Sequence, residues 1–363
     1  MYKRQCILAE FDALPGVSQA VSTEPTPGPN PAAGHACGHS AFGVGSTAAA
    51  LAIKQLMDSG ALKGTVKLYG TPAEETGIGK VYMLRAGFFR DDDVILSWHP
   101  SRATLAPYSA TKALVNVKFR FRGSAAHAAA QPFAGRSALD AVELMNVGAN
   151  YLREHIIPDG RIHYAITNPG GAAPNVVQAE AEAYYFVRAP TLSIAQGIYD
   201  RVCDVARGAA LMTGTKLEIS YQGGLSHYLP NDVLNQVLYK NMTEVGPPRF
   251  DSTDIRFAEA ITKSLTPDDL KTELDQLIRR GMSRNEASRC MTGKVLADFI
   301  VPYKPLDAVH PGSSDMGDVS LVVPTTCFNG ATLALGTPGH SWQTVAQSAS
   351  SIAHKGVISA GQY

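Results

Sequence analysis

The chain has 363 residues, 45% hydrophobic and 18% charged, with 32 basic against 32 acidic side chains and no formal net charge. That balance excludes the basic footprint of a nucleic-acid or membrane-surface binder, and the apolar content excludes global disorder. The length predicts two domains; no apolar run approaches the roughly 20 residues of a transmembrane helix, and five scattered cysteines suit a reducing, cytoplasmic compartment better than a disulfide framework. Along the first hundred residues, Cys6–Ala9 is a short apolar strand and Thr23–Gly34 a Pro/Gly-rich loop. Ser46–Met57 reads as a helix stopped at Asp58-Ser-Gly60, Thr65–Tyr69 as a strand, Lys80–Phe89 as a short helix and Val94–Trp98 as a buried strand. Alternation of this kind predicts a mostly parallel sheet with flanking helices.

The middle changes character. Strand Leu114–Arg122, helix Ser137–His155, strands Arg161–Thr167 and Val177–Arg188, helix Ser193–Met212 and strand Lys216–Tyr221 follow in the order βαββαβ, a unit that forms two layers by itself. Helices return after Asn231, with an acidic-basic helical insert over Pro267–Arg289, and an α/β segment, Cys327–Ile358, follows. The expected organisation is an α/β catalytic domain over 1–111 and 226–363, truncated at both ends, interrupted by a βαββαβ domain over 112–225.

Chemistry concentrates at a few places. Gly34-His-Ala-Cys-Gly-His39 puts a cysteine and two histidines in a glycine-softened loop before a helix, where a thiolate and an imidazole can meet the same metal; a buried cysteine with two loop histidines is the other reading. Glu74 and Glu75 follow a strand, and diverging neighbours there would let one bind metal while the other faces a water, the division of labour metal-assisted hydrolysis needs. Adjacent glutamates are otherwise solvated surface. His99 and His340 also follow apolar strands, where one histidine alone would be structural, but several such sites at one sheet edge gather where α/β folds bind ligands. In the middle module, His127 sits among small residues, while Asn175 and Arg188 offer an amide and a guanidinium. Gly43-x-Gly45-x-x-Ala48 imitates a dinucleotide fingerprint in letters, but it follows a Cys/His loop rather than a strand.

Glu10-Phe-Asp-Ala-Leu-Pro-Gly16, Gly34-His-Ala-Cys-Gly-His39, Pro72-Ala-Glu-Glu75, Trp98-His-Pro100, Gly123-Ser-Ala-Ala-His127 and Gly336-Thr-Pro-Gly-His340 occur in this order. The set resembles the aminoacylase/amidohydrolase family of two-metal peptidases, in its cysteine-ligand branch, over about Ile7 to Gly356. The resemblance implies two divalent ions, zinc or manganese, with Cys37 as the bridging ligand and His39, Glu75, His99 and His340 as the others. It further implies Glu74 as general base and Asp12 as the carboxylate orienting the metal site. His127 is then the oxyanion-stabilising histidine that reaches a neighbouring subunit, and Asn175 and Arg188 hold the substrate's carboxylate. The implied reaction is amide hydrolysis of N-acyl or N-aroyl amino acids, p-aminobenzoyl-glutamate foremost, by a homodimer or a heteromer with a related subunit. The alternatives are a dipeptidase or general aminoacylase of the same fold, a non-catalytic partner subunit, or an inactive fragment.

Overall fold

The computed structural model describes residues 4–28, 32–107, 109–305 and 309–363. The expected loop Thr23–Gly34 is irregular where it is described, its residues 29–31 lying outside the described ones. In chain order the elements are β1 (Arg4–Glu10), α1 (His39–Asp58), β2 (Thr65–Thr71), α2 (Gly79–Arg85), β3 (Val94–Ser101), β4 (Ala110–Thr111) and β5 (Ala113–Arg122). Then come α3 (Ala138–Leu152), β6 (Arg161–Asn168), β7 (Glu180–Ala189), α4 (Leu192–Thr213), β8 (Lys216–Leu225) and α5 (Asp232–Val245). The remainder is α6 (Ser252–Thr262), α7 (Pro267–Arg279), α8 (Arg284–Met291), β9 (Val309–His310), α9 (Met316–Ser320), β10 (Thr325–Ala331), α10 (Trp342–Ser348) and α11 (Ser351–Gln362). Among the described residues, no helix is long and apolar enough to cross a membrane.

Two compact units result. The first comprises Met1–Ser109, Leu229–Ala308 and Val319–Tyr363 and is built on a parallel sheet of order β10-β3-β1-β2. Its inner strands are covered on both faces, which is why β1 reads as an unbroken apolar run, Cys6 to Ala9, rather than an alternating one. Parallel strands bring all their C-terminal ends to one edge, and β1, β2 and β3 deliver Glu10, the Glu74–Glu75 turn and His99 there. Helix α1 starts at His39, seven positions before the expected Ser46. Its first two turns hold Gly43 and Gly45, poor helix formers in isolation, because packing demands them: a Cβ at Gly43 would lie 2.9 Å from the Glu10 carbonyl oxygen, and one at Gly45 2.7 Å from the Trp98 ring.

The second unit comprises Ala110–Tyr228 and Val309–Asp318. Its antiparallel sheet has the order β6-β7-β5-β8. Val115, Val117, Phe119 and Phe121 of β5 and Ala181, Ala183, Tyr185 and Val187 of β7 alternate inward to share one core with α3 and α4. The segment Val309–Asp318, expected with the flanking domain, groups here instead. Strand β9 pairs with β4, and the Asp318 carboxylate accepts the Ser226 backbone N–H at 2.9 Å and its hydroxyl at 2.8 Å. Two such short contacts leave little hydrophobic signal in the sequence.

Candidate metal centre and catalytic carboxylates

Gly38 makes the entry to the site possible. Its φ is 77°, and a Cβ there would lie 2.8 Å from Pro100, so only glycine brings the Cys37–His39 loop against the end of β3. Cys37 Sγ then lies 3.3 Å from His99 Nε2. His99 is inside β3 rather than beyond it, and its Nδ1 donates to the Pro100 carbonyl at 2.7 Å, so Nε2 is the ring nitrogen turned toward Cys37. His39 is set the same way: Nδ1 donates to Asp12 Oδ1 at 3.0 Å, and Nε2 is buried without a hydrogen-bond partner. The other Asp12 oxygen accepts the Glu75 backbone N–H at 2.9 Å. One carboxylate therefore orients two candidate ligands from two different loops.

Three groups of donor atoms form, each with its atoms within 4.8 Å of one another: Cys37 with His39 and His99, Cys37 with Glu75 and His340, and Glu10 with His39 and Glu74. The structure thus draws together all five residues expected to hold metal, and Cys37 belongs to both of the groups they make. Glu10 had no role in the sequence reading. Its Oε1 pairs with Lys80 Nζ at 2.6 Å, both side chains buried, and its Oε2 faces His39 Nε2 at 3.2 Å. A strand-end acid and a lysine at the second position of a helix are ordinary in sequence, and only the fold reveals that they neutralise one another in the core.

The donor set fits divalent ions. Glu75 Oε1 is buried without a hydrogen-bond partner, and His39 Nε2 and Glu10 Oε2 face only one another, 3.2 Å apart, an arrangement whose desolvation cost a cation among these atoms would offset. Burial pushes the Cys37 thiol up, yet His99 foremost, with the His340 and His39 imidazoles around the sulfur, outweighs it and brings the group to about 3, which favours the thiolate form that ligates metal. Burial, then the Cys37 thiolate, raises Glu75 to about 7; burial, then the Glu10 charge, raises Glu74 above the usual carboxylate range. Ala73 and His340, at φ 63° and 55°, are the non-glycine residues in left-handed backbone among the described ones. Both flank or form the site, and each conformation costs about 1–2 kcal/mol that the surrounding contacts must offset.

His127, Asn175 and Arg188 all belong to the second unit. His127 and Asn175 are brought together: His127 bridges Val176, and the Ala128 N–H donates to the Asn175 carbonyl at 3.0 Å. The N–H groups of Ala129 and Ala130 donate to His127 Nδ1 at 3.3 and 3.2 Å, which puts the proton of the neutral ring on Nε2. Arg188 is not with them. It stands at the far end of β7, beside Leu114 and Arg161, while Glu180 begins the strand opposite Arg122. Eight residues at about 3.4 Å each separate the two ends by roughly 27 Å. The Arg188 guanidinium donates to Ser313 Oγ at 2.7 Å.

A cysteine, three imidazoles and paired, half-buried glutamates at the edge of a parallel sheet define the class, a metal-dependent hydrolase of amide bonds. Residues 6–266 match the sequence profile of Peptidase family M20/M25/M40, and the chain belongs to that family. It is 44% identical over 362 residues to one of the subunits of p-aminobenzoyl-glutamate hydrolase from Escherichia coli (strain K12), covering 98% of this chain and 74% of that one. To the Xaa-Arg dipeptidase of Mus musculus it is 38% identical over 241 residues, 66% of this chain and 51% of that one. In fold it is similar to a dinuclear metal binding peptidase of the M20 family from Bacillus subtilis, with a TM-score of 0.53 at 16% identity, covering 100% of this chain and 83% of that one.

Proposed function

We propose that this chain hydrolyses the amide bond of N-acyl and N-aroyl amino acids that carry a free carboxylate, p-aminobenzoyl-glutamate foremost. The observation that carries the reading is the pair of donor groups sharing Cys37 with Glu74 beside them. In this reading the first unit is the catalytic domain and the second a lid and dimerisation domain. Cys37, His39 and His99 would hold one ion and Cys37, Glu75 and His340 the other, with Asp12 fixing His39 and Glu75. The soft thiolate and imidazoles suit zinc, and the carboxylate admits manganese. Bound there, the ions supply Lewis acidity, which makes a water more acidic and polarises the substrate carbonyl.

The chain's own groups do the rest. Glu74, its proton affinity raised by burial and by Glu10, accepts the proton of the attacking water at a carboxylate oxygen and returns it to the leaving amine. His127 Nε2–H, its tautomer set by two backbone N–H groups, donates to the oxyanion that develops on the carbonyl. Asn175 and Arg188 hold the free carboxylate, Arg188 through its planar fork. Because His127 and Arg188 stand at opposite ends of one sheet, both reach a single substrate when a second subunit, another copy or a related chain, supplies one of them. The five free cysteines suit a reducing compartment such as the cytoplasm.

The test is release of glutamate from p-aminobenzoyl-glutamate, assayed with metal content before and after chelation. Two ions per chain and chelator-sensitive release are expected. Bound metal with turnover of basic dipeptides alone would favour the dipeptidase reading that the mouse relative suggests; no bound metal would overturn the proposal.

A further inference from the structure

Helices α7 and α8 carry none of the candidate ligands, and nothing in the reaction calls for them. Yet the buried face of α7 grips one side chain beside the site. Arg102, three residues beyond His99, forms an ion pair with Glu273, which is 1% exposed, and donates through Nη2 to Gln276 Oε1 at 2.6 Å. Its third contact leaves the helix: Nη1 donates to the Thr337 carbonyl at 3.0 Å. Thr337 lies in Gly336–His340, the loop that ends in the candidate ligand of the second ion.

That loop needs holding from outside. The His340 side chain is 58% exposed, so packing does not fix it, and its backbone sits at φ 55°. What fixes it is the main chain. Its N–H donates to the Ala36 carbonyl at 3.1 Å, and the Pro338 carbonyl accepts the hydroxyls of Ser341 and Thr344, each at about 2.8 Å. The buried Gln347 donates to Thr337 Oγ1 at 3.1 Å. At the loop's start, Gly336 has φ 81°, and a Cβ there would lie 2.8 Å from Leu270 of α7. The loop is thus pressed onto α7 at one end and tied by Arg102 in its middle. A largely buried arginine–glutamate pair adds little stability over an apolar pair of the same volume, but a guanidinium imposes directions that an apolar side chain cannot.

We propose that Arg102, set by Glu273 and Gln276, is a positioning residue for the second ion: it holds Gly336–His340 so that His340 meets Cys37 and Glu75. The helical insert is thereby part of the metal site's support. This rests on the reading that Cys37, Glu75 and His340 hold an ion, and the test separates the two ideas. Chelator-stripped wild type, Arg102→Lys and His340→Ala are titrated with zinc by calorimetry, with circular dichroism to verify the fold. Arg102→Lys is expected to bind the first ion as wild type does and the second about 10-fold or more weakly, with turnover restored by raising zinc. If His340→Ala loses one ion while folded Arg102→Lys keeps both wild-type affinities, the positioning role is overturned. If His340→Ala also binds both as wild type does, the ligand assignment beneath it falls. Gln276→Met keeps the ion pair and removes one acceptor, so it carries the same test should Arg102→Lys not fold: a weakened second ion supports the role, unchanged affinities overturn it.

Discussion

At the scale of single residues, the proposed reaction divides groups that would hold metal from groups that would react. Glu74 makes no ligand set with Cys37, whereas Glu75 does. Glu74→Gln is therefore expected to keep both ions and lose about 10²–10⁴-fold in kcat, measured by steady-state turnover beside metal analysis; turnover within a few fold of wild type would remove Glu74 as the base. Asp12 touches no substrate in this reading but fixes His39 and the Glu75 backbone. Asp12→Ala should weaken metal binding about 10–100-fold, read by competition with a chromophoric chelator. The five donors were legible in sequence because a cysteine, histidines and paired acids at strand ends have few structural reasons to gather there. Glu10 and Lys80 were not, since a lone acid and a lone lysine read as surface until the fold buries them against each other.

At the scale of elements, the sequence marked where strands and helices run but not where packing overrides propensity. Helix α1 extends back to His39 because Trp98 and the Glu10 carbonyl leave room only for glycine at positions 45 and 43, a fact invisible to helical periodicity. Gly45→Val should overpack the Trp98 cluster and destabilise the protein by about 1–3 kcal/mol, checked by denaturant unfolding; an unchanged midpoint would mean that the helix is less tightly seated than described. Helices α6 and α11 are joined by charge. Lys355 pairs with Asp251 at 2.6 Å and with the buried Asp254, and Ser351 donates to Asp254. The hydrogen bond from Lys355 brings Asp251 down to about 2; burial opposes the same shift at Asp254, but the bonds from Lys355 and Ser351 win. A depressed carboxylate stabilises the fold above its unfolded value of about 4 and loses that contribution as pH falls through its folded value. Lys355→Met should therefore lower the melting temperature at pH 7, and the gap to wild type should close as pH drops from about 4 toward 2. A gap independent of pH would assign the loss to packing.

At the scale of the whole molecule, composition and motif order announced an α/β core with an inserted βαββαβ unit, because buried parallel strands and half-buried antiparallel ones write different patterns. The return of Val309–Asp318 to the inserted unit is not legible in sequence: it rests on a two-residue strand pairing and on polar contacts, Asp318 with Ser226 and Ser313 with Arg188, rather than on an apolar face. Sheet geometry then yields a consequence for assembly. His127 and Asn175 lie beyond the end of β7 that Glu180 begins, and Arg188 closes the other end, roughly 27 Å away at about 3.4 Å per residue. If one substrate meets both groups, two subunits must share it. His127→Ala and Arg188→Ala should each be nearly inactive as purified proteins. After mixing and subunit exchange, half the dimers are mixed, and each mixed dimer has one site where the intact Arg188 of one copy meets the intact His127 of the other. About a quarter of all sites is then complete, so activity should rise from near zero toward about a quarter of wild type. No recovery from mixtures shown by mass spectrometry to have exchanged would place both groups in the site from the same copy, or leave one of them outside the reaction.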